Sequence, residues 1–141
     1  ERCHIINTSS MAGIIVGPAL APYTTTKHAV VGLTRTLHED LADNDKVGVS
    51  VLCPGLVQTN IIERDHLGLD LDESSIDQHE SAKNNAQWLA DGVKEGMSPE
   101  DLAIIVFKKI ENDEFWILTH PEFVEVYSGY STELIESTTK E

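Results

Sequence analysis

The chain has 141 residues, enough for one ordinary domain, and a net charge of −14 from 10 basic and 24 acidic residues. That balance argues against nucleic-acid binding, which needs phosphates neutralised, and against an anionic membrane surface. No apolar run approaches the ~20 residues that cross a bilayer, and Cys3 and Cys53 form neither a disulfide framework nor a metal-spaced set. Each cysteine lies in or beside an apolar run, so buried free thiols in a reducing, cytoplasmic setting are expected.

In chain order, residues 3–7 read as a short buried strand, with Ile5 and Ile6 β-branched. It stops at the polar Asn7-Thr8-Ser9-Ser10. In open α/β sheets ligands bind beyond the carboxyl ends of strands, so these hydroxyls are well placed. Turn chemistry competes for Thr8 and Ser9, and for Ser9 it is preferred. Residues 11–22 form a loop in which Met11, Ile14, Val16 and Leu20 serve either packing or a pocket. Pro22 suits the first turn of a helix predicted over about 23–42. Ala29, Val30, Leu33, Leu37 and Leu41 give that helix an apolar stripe that predicts burial. His28 and His38 lack partners at ligand spacing and are expected at a surface or interface.

After a polar turn at 43–46, the valine-dense run 47–53 reads as a second strand, parallel and buried. Strand, helix and strand make a right-handed crossover unit. Pro54-Gly55 ends the strand; proline donates no ladder bond and glycine admits close backbone approach. Residues 60–97 are acidic, with Glu63, Asp65, Asp70, Asp72, Glu73, Asp77 and Glu80, and helical pieces are predicted at 59–66 and 77–92. Ser98-Pro99-Glu100-Asp101 starts a helix that continues to about 112: serine caps, proline takes the first turn, and acids face the positive dipole end. Residues 115–119 read as a final strand. A short helix over 121–136 should turn Phe123, Val126 and Tyr127 inward, and 137–141 should be disordered. Trp88, Trp116, Tyr127 and Tyr130 suit core or interface anchors. The alternation of strands and helices is that of an α/β domain.

The chemistry centres on Tyr23 and Lys27, four residues apart, which project from one helix face. An ammonium beside a phenol favours the phenolate, the form that takes a proton from an alcohol. A hydroxyl from Ser10 could hydrogen-bond the same reacting oxygen. Taken alone, such a Tyr/Lys pair is more often a solvated surface pair.

Three motifs change that balance: Asn7-Thr8-Ser9-Ser10 at a strand end, Tyr23-x-x-x-Lys27, and Pro54-Gly55-x-x-x-Thr59. In this order and spacing, residues 4–59 resemble the short-chain dehydrogenase/reductase family. The resemblance implies the C-terminal part of a doubly wound parallel-sheet, Rossmann-like domain over 1–141, with about 60–97 as a lid over the substrate. It implies an NAD- or NADP-dependent oxidoreductase that interconverts a secondary alcohol and a carbonyl. Ser10, Tyr23 and Lys27 would be catalytic. Tyr23, Lys27, Pro54, Gly55, Leu56, Val57 and Thr59 would contact the cofactor, with backbone of Leu56 and Val57 on the nicotinamide amide. It also implies a homo-oligomer, dimer or tetramer, packed through the helix that carries Tyr23. The family's glycine-rich dinucleotide turn and its further active-site asparagine have no counterpart here, so the chain is expected to be the C-terminal part of a longer enzyme. Two alternatives stand beside the enzyme: a non-catalytic nucleotide-sensing or scaffold member of the fold, and an inactive fragment. The acidic stretch is either a solvated face or a mouth for a cationic substrate. The choice between NAD and NADP and the substrate itself are not encoded in these residues.

Overall fold

The computed structural model describes residues 2–62 and 80–139. Its elements are β1 (Cys3–Thr8), α1 (Ala21–Asp40), β2 (Val47–Cys53), α2 (Glu80–Lys94), α3 (Pro99–Glu111), β3 (Trp116–Leu118) and α4 (Val124–Thr139). Short 3-10 turns occur at Met11–Gly13, Asn60–Ile62 and Pro121–Phe123. The strands form one parallel sheet in the order β1-β2-β3. β1 pairs from Cys3 beside Val47 to Thr8 beside Leu52, and β3 meets the end of β2, from Val51 beside Trp116 to Cys53 beside Leu118. Because all strands point the same way, three chain reversals line one edge of the sheet: Ser9-Ser10, Pro54-Gly55 and Thr119-His120. The two motif-bearing strands and the helix between them are therefore the expected crossover unit.

β2 is the central strand, buried from Gly48 to Cys53 with Val47 half-buried, as expected of a parallel strand covered on both faces. Val51 and Cys53 form the core with Met11, and Ile14, Val31, Phe115, Leu118 and Phe123 pack against it. The loop after β1 thus contributes Met11 and Ile14 to packing, while Val16 is exposed. α3 begins as its sequence dictates: Ser98 caps it, accepting from the Asp101 N–H at 3.1 Å, with Pro99 in the first turn.

At the opposite edge, polar groups join β1 to the α3–β3 connection. Arg2 pairs with Asp113 at 2.5 Å, and His4 Nε2 lies 2.7 Å from Ser50 Oγ. The fully buried Ser50 hydroxyl donates to the Glu114 carbonyl at 2.7 Å. With that proton committed, His4 Nε2 is the donor to Ser50, which leaves Nδ1 facing Asp113 at 3.7 Å. Burial lowers the His4 pKa from its usual value, against the pull of Asp113 and with a smaller push from Arg2.

Several expectations are corrected. β1 is half-buried rather than buried, and Cys3 is exposed, because among the described residues β1 has a strand on one side only. On α1, Ala29 and Leu33 face outward, with Leu33 66% exposed; the buried face runs through Thr34 instead. The cause is polar: the Thr34 hydroxyl donates to the Val30 carbonyl at 2.6 Å and accepts from the Asn7 amide at 3.1 Å, fixing the helix rotation against β1. Phe123 packs inward, but Val126 and Tyr127 are exposed, as are Trp88, Trp116 and Tyr130. They are not core on this chain. The expected disordered tail is helical to Thr139, where Ser137, Thr138 and Thr139 each bond a carbonyl one turn back. Of the helix expected over 59–66, Thr59 is a bend, Asn60–Ile62 is a 3-10 turn, and 63–66 lie outside the described residues. The acidic run from Glu63 to Asp77 lies outside them too, and the following helix is described from Glu80 to Lys94. Among the described residues no helix is long and apolar enough to cross a membrane.

Candidate active site

The predicted site residues sit on three elements tied together by a short hydrogen-bond relay. Ser10 follows β1 and caps the 3-10 turn, its hydroxyl accepting from the Ala12 N–H at 3.1 Å. Among the described residues that hydroxyl donates to nothing, so its proton is available to a ligand oxygen. Next to it, the Ser9 N–H reaches the Leu52 carbonyl at 2.8 Å, and the Met11 N–H reaches the Pro54 carbonyl at 2.9 Å. These two bonds extend the β1–β2 ladder past the strand ends and set Ser10 beside the Pro54-Gly55 turn.

Ser9 then joins this edge to α1. Its side chain, 2% exposed, donates to the Lys27 carbonyl at 2.8 Å. The turn chemistry preferred for Ser9 is thus corrected: it is a buried tether between the serine edge and the helix bearing Tyr23 and Lys27. Gly13 is what lets the helix come this near, since a Cβ there would lie 2.8 Å from the Lys27 carbonyl oxygen and run into Ser9 Oγ. The Lys27 ammonium lies over the Tyr23 ring, 5.5 Å from its centroid, as the four-residue spacing predicts. Tyr23 is 40% exposed, so its ring is open to an incoming molecule. No direct hydrogen bond links Ser10 to Tyr23 among the described residues.

Behind these groups lies Cys53, fully buried, with the Ser9 side chain and the Ser10 backbone as partners. Burial pushes its thiol up to about 11, against those hydrogen bonds and the Lys27 charge. It is an inert floor, not a nucleophile.

The turn after β2 is held on two sides. Met97 pairs with it as an isolated parallel bridge: its N–H donates to the Leu56 carbonyl at 3.0 Å, and the Gln58 N–H donates to the Met97 carbonyl at 2.9 Å. Gly92 and Gly96 admit Leu56, whose side chain and carbonyl fill the space a Cβ would need at each. In such a bridge Leu56 and Gln58 turn their groups toward Met97, so Val57 turns its own N–H and carbonyl the other way. Of the two residues expected to present backbone to a ligand, Val57 has the suitable direction and the Leu56 carbonyl is already engaged. Thr59 is exposed just before the 3-10 turn. On the other side, the Gly55 N–H donates to Thr119 Oγ1 at 3.1 Å. Thr119 and His120 were not among the predicted residues. The signal was available: in a parallel sheet the residues just past neighbouring strand ends are neighbours, and Thr119 follows β3 as Gly55 follows β2.

This arrangement offers a phenol with an ammonium, a hydroxyl that donates to no described residue, and an outward-facing backbone segment along one sheet edge. It fits the nicotinamide end of a dinucleotide; the glycine-rich turn for the pyrophosphate is not in this chain. Among the described residues no group of three or more His, Cys, Asp or Glu could hold a metal ion.

Comparison with known proteins gives the family. The family model for short chain dehydrogenase matches residues 1–68. A CLA biosynthesis dehydrogenase/reductase of Lactiplantibacillus plantarum is 32% identical over 123 residues, covering 84% of this chain and 43% of the relative. A 1-deoxy-11-beta-hydroxypentalenate dehydrogenase of Streptomyces exfoliatus is 32% identical over 119 residues, covering 84% and 36%. Among solved structures, a short chain dehydrogenase/reductase of Burkholderia phymatum in complex with NAD superposes with a TM-score of 0.81 at 34% identity, covering 95% of this chain and 49% of that one. The parallel sheet with its crossover helix is of the Rossmann type. The chain belongs to the short-chain dehydrogenase/reductase family, whose members use NAD or NADP. It spans less than half the length of the curated relatives it matches, and the matched part is their C-terminal region.

Proposed function

We propose that this chain carries the catalytic part of an NAD(P)-dependent oxidoreductase that interconverts a secondary alcohol and a carbonyl. A bound nicotinamide dinucleotide would take up or supply the hydride. Tyr23 takes the alcohol proton in oxidation and returns it to the carbonyl oxygen in reduction. Lys27 stabilises the phenolate and holds the nicotinamide ribose. Ser10 donates its hydroxyl proton to the substrate oxygen, which steadies the developing charge. Val57 offers backbone groups to the carboxamide, Gly55 leaves room for the His120 ring behind the turn, Pro54 anchors the turn to Met11, and Thr59 lies at its far end.

The observation that carries this reading is the Ser9 tether: one buried hydroxyl joins the edge bearing Ser10 to the turn of α1 bearing Lys27. The exposed face of α1 with Ala29, Gly32 and Leu33, where Gly32 has open space around it, supports assembly of the whole protein as a homo-oligomer through that helix. The substrate is a small alcohol or ketone, and the setting is cytoplasmic. Region 60–97 serves as the lid.

The test is Tyr23→Phe in the natural protein. Loss of a positioned proton donor lowers turnover by roughly 10²–10⁴-fold, while dinucleotide binding followed by nicotinamide fluorescence stays. Turnover near wild type would contradict the role.

A further inference from the structure

Thr119 and His120 form a brace against the turn that the proposed oxidoreductase uses for its nicotinamide. The Thr119 side chain is buried, and its hydroxyl accepts the Gly55 N–H at 3.1 Å. The same oxygen lies 2.7 Å from His120 Nδ1. With the imidazole proton on Nε2, the groups make one chain: Gly55 N–H to Thr119 oxygen, Thr119 proton to Nδ1. The ring also fills the space beside Gly55, where a Cβ would stand 2.5 Å from Nδ1 and 2.6 Å from Cγ. Any residue but glycine would drive turn and ring apart. The ring is anchored in turn, since its centroid lies 6.2 Å from that of Phe123, which packs on the Met11, Val51 and Cys53 core. A continuous path of contacts therefore runs from the core through Phe123 and His120 to Gly55, two residues before Val57. Met97 holds the turn from its other end through Leu56 and Gln58. Clamped at both ends, residues 55–58 have one geometry in which to present the Val57 backbone.

We propose that Thr119 and His120 are positioning residues that hold the Pro54–Val57 backbone in the geometry that recognises the nicotinamide carboxamide, an inference that rests on the oxidoreductase reading above. A brace of this kind acts on one end of the dinucleotide only. Its signature is loss of affinity for the whole cofactor without loss of affinity for the part that lacks nicotinamide.

The test uses the natural protein and two probes: the reduced dinucleotide that the wild type binds, and the ADP-ribose part of the same molecule. Thr119→Val keeps the shape of the side chain and removes the hydroxyl. It should weaken reduced-dinucleotide binding by roughly five- to thirtyfold, the worth of one or two backbone hydrogen bonds, and leave ADP-ribose binding unchanged. Thr119→Ser should restore the wild-type ratio. His120→Ala, at the half-exposed end of the brace, should show the same selective loss to a smaller degree, and it remains informative should Thr119→Val not fold. Equal affinities in wild type and both variants would overturn the proposal, as would a proportional loss for both probes, which marks general damage. A wild type that binds neither probe defeats the oxidoreductase reading itself, and the brace with it.

Discussion

Gly13→Ala is the sharpest structural perturbation of the site. The added methyl would sit 2.8 Å from the Lys27 carbonyl oxygen and 2.9 Å from Val31 Cγ2, and would meet Ser9 Oγ as well. The Ser9 hydroxyl can rotate away only by giving up its bond to the Lys27 carbonyl, and that carbonyl is helix backbone that moves only with α1. Overpacking of this kind costs about 1–3 kcal/mol, and the lost buried hydrogen bond adds about 1 kcal/mol. The expected sum is roughly 2–4 kcal/mol. Ser9→Ala removes the hydrogen bond alone and should cost about 1 kcal/mol. Both are read from urea unfolding of the natural protein followed by circular dichroism, as shifts in midpoint at constant slope. In the double variant the costs should not add, because the hydrogen bond is lost once. A Gly13→Ala midpoint no lower than that of Ser9→Ala would refute the tight approach of α1 to the serine edge.

Three further outcomes are expected. Cys53, buried with its pKa raised to about 11, should resist alkylation of the folded protein at pH 8 while exposed Cys3 reacts, as peptide mass spectrometry would show; labelling of Cys53 at the rate of Cys3 would contradict its burial. The folded-state pKa of His4 is lowered, so the folded protein binds fewer protons than the unfolded chain as pH falls through the usual histidine value. The His4 contribution to stability is present above that value and lost as pH drops through the lowered one, so unfolding midpoints of wild type and His4→Gln should converge on acidification; a constant gap would contradict this. Thr34→Val leaves the half-buried Asn7 amide without its acceptor, at a cost of about 1 kcal/mol in the same unfolding assay; an unchanged midpoint would remove Thr34 as the residue that fixes α1 against β1.

Much of the fold was legible because the strongest local signals agreed with the tertiary arrangement. The valine run of β2 gave a buried parallel strand with the expected bounds, and Ser98-Pro99 gave the start of α3. The short-range geometry of the site was legible for the same reason: a four-residue spacing on a helix places Lys27 over Tyr23 whatever surrounds them. What sequence could not supply was contact between distant segments. Ser9 looks like a turn residue until α1 lies within reach of its hydroxyl. The stripe through Ala29 and Leu33 looks inward until Asn7 and Thr34 fix the helix rotation, and an outward Leu33 obeys no local rule. Thr119 and His120 were within reach of the sequence through the predicted strand at 115–119, but their contact with Gly55 depends on β3 pairing with β2. On α4, Val126 and Tyr127 have helical spacing, but no surface of the described chain covers them.

The central claim is that one substrate oxygen meets Tyr23 and Ser10 while Lys27 holds the nicotinamide ribose. A crystal structure of the natural protein with its oxidised dinucleotide and a ketone analogue measures this directly. The account predicts the analogue oxygen within hydrogen-bond reach of both hydroxyls, the Lys27 ammonium on the ribose, and the carboxamide on the Val57 backbone. A nicotinamide ring bound away from the Pro54-Gly55 turn, or an analogue oxygen turned from Tyr23, would contradict it.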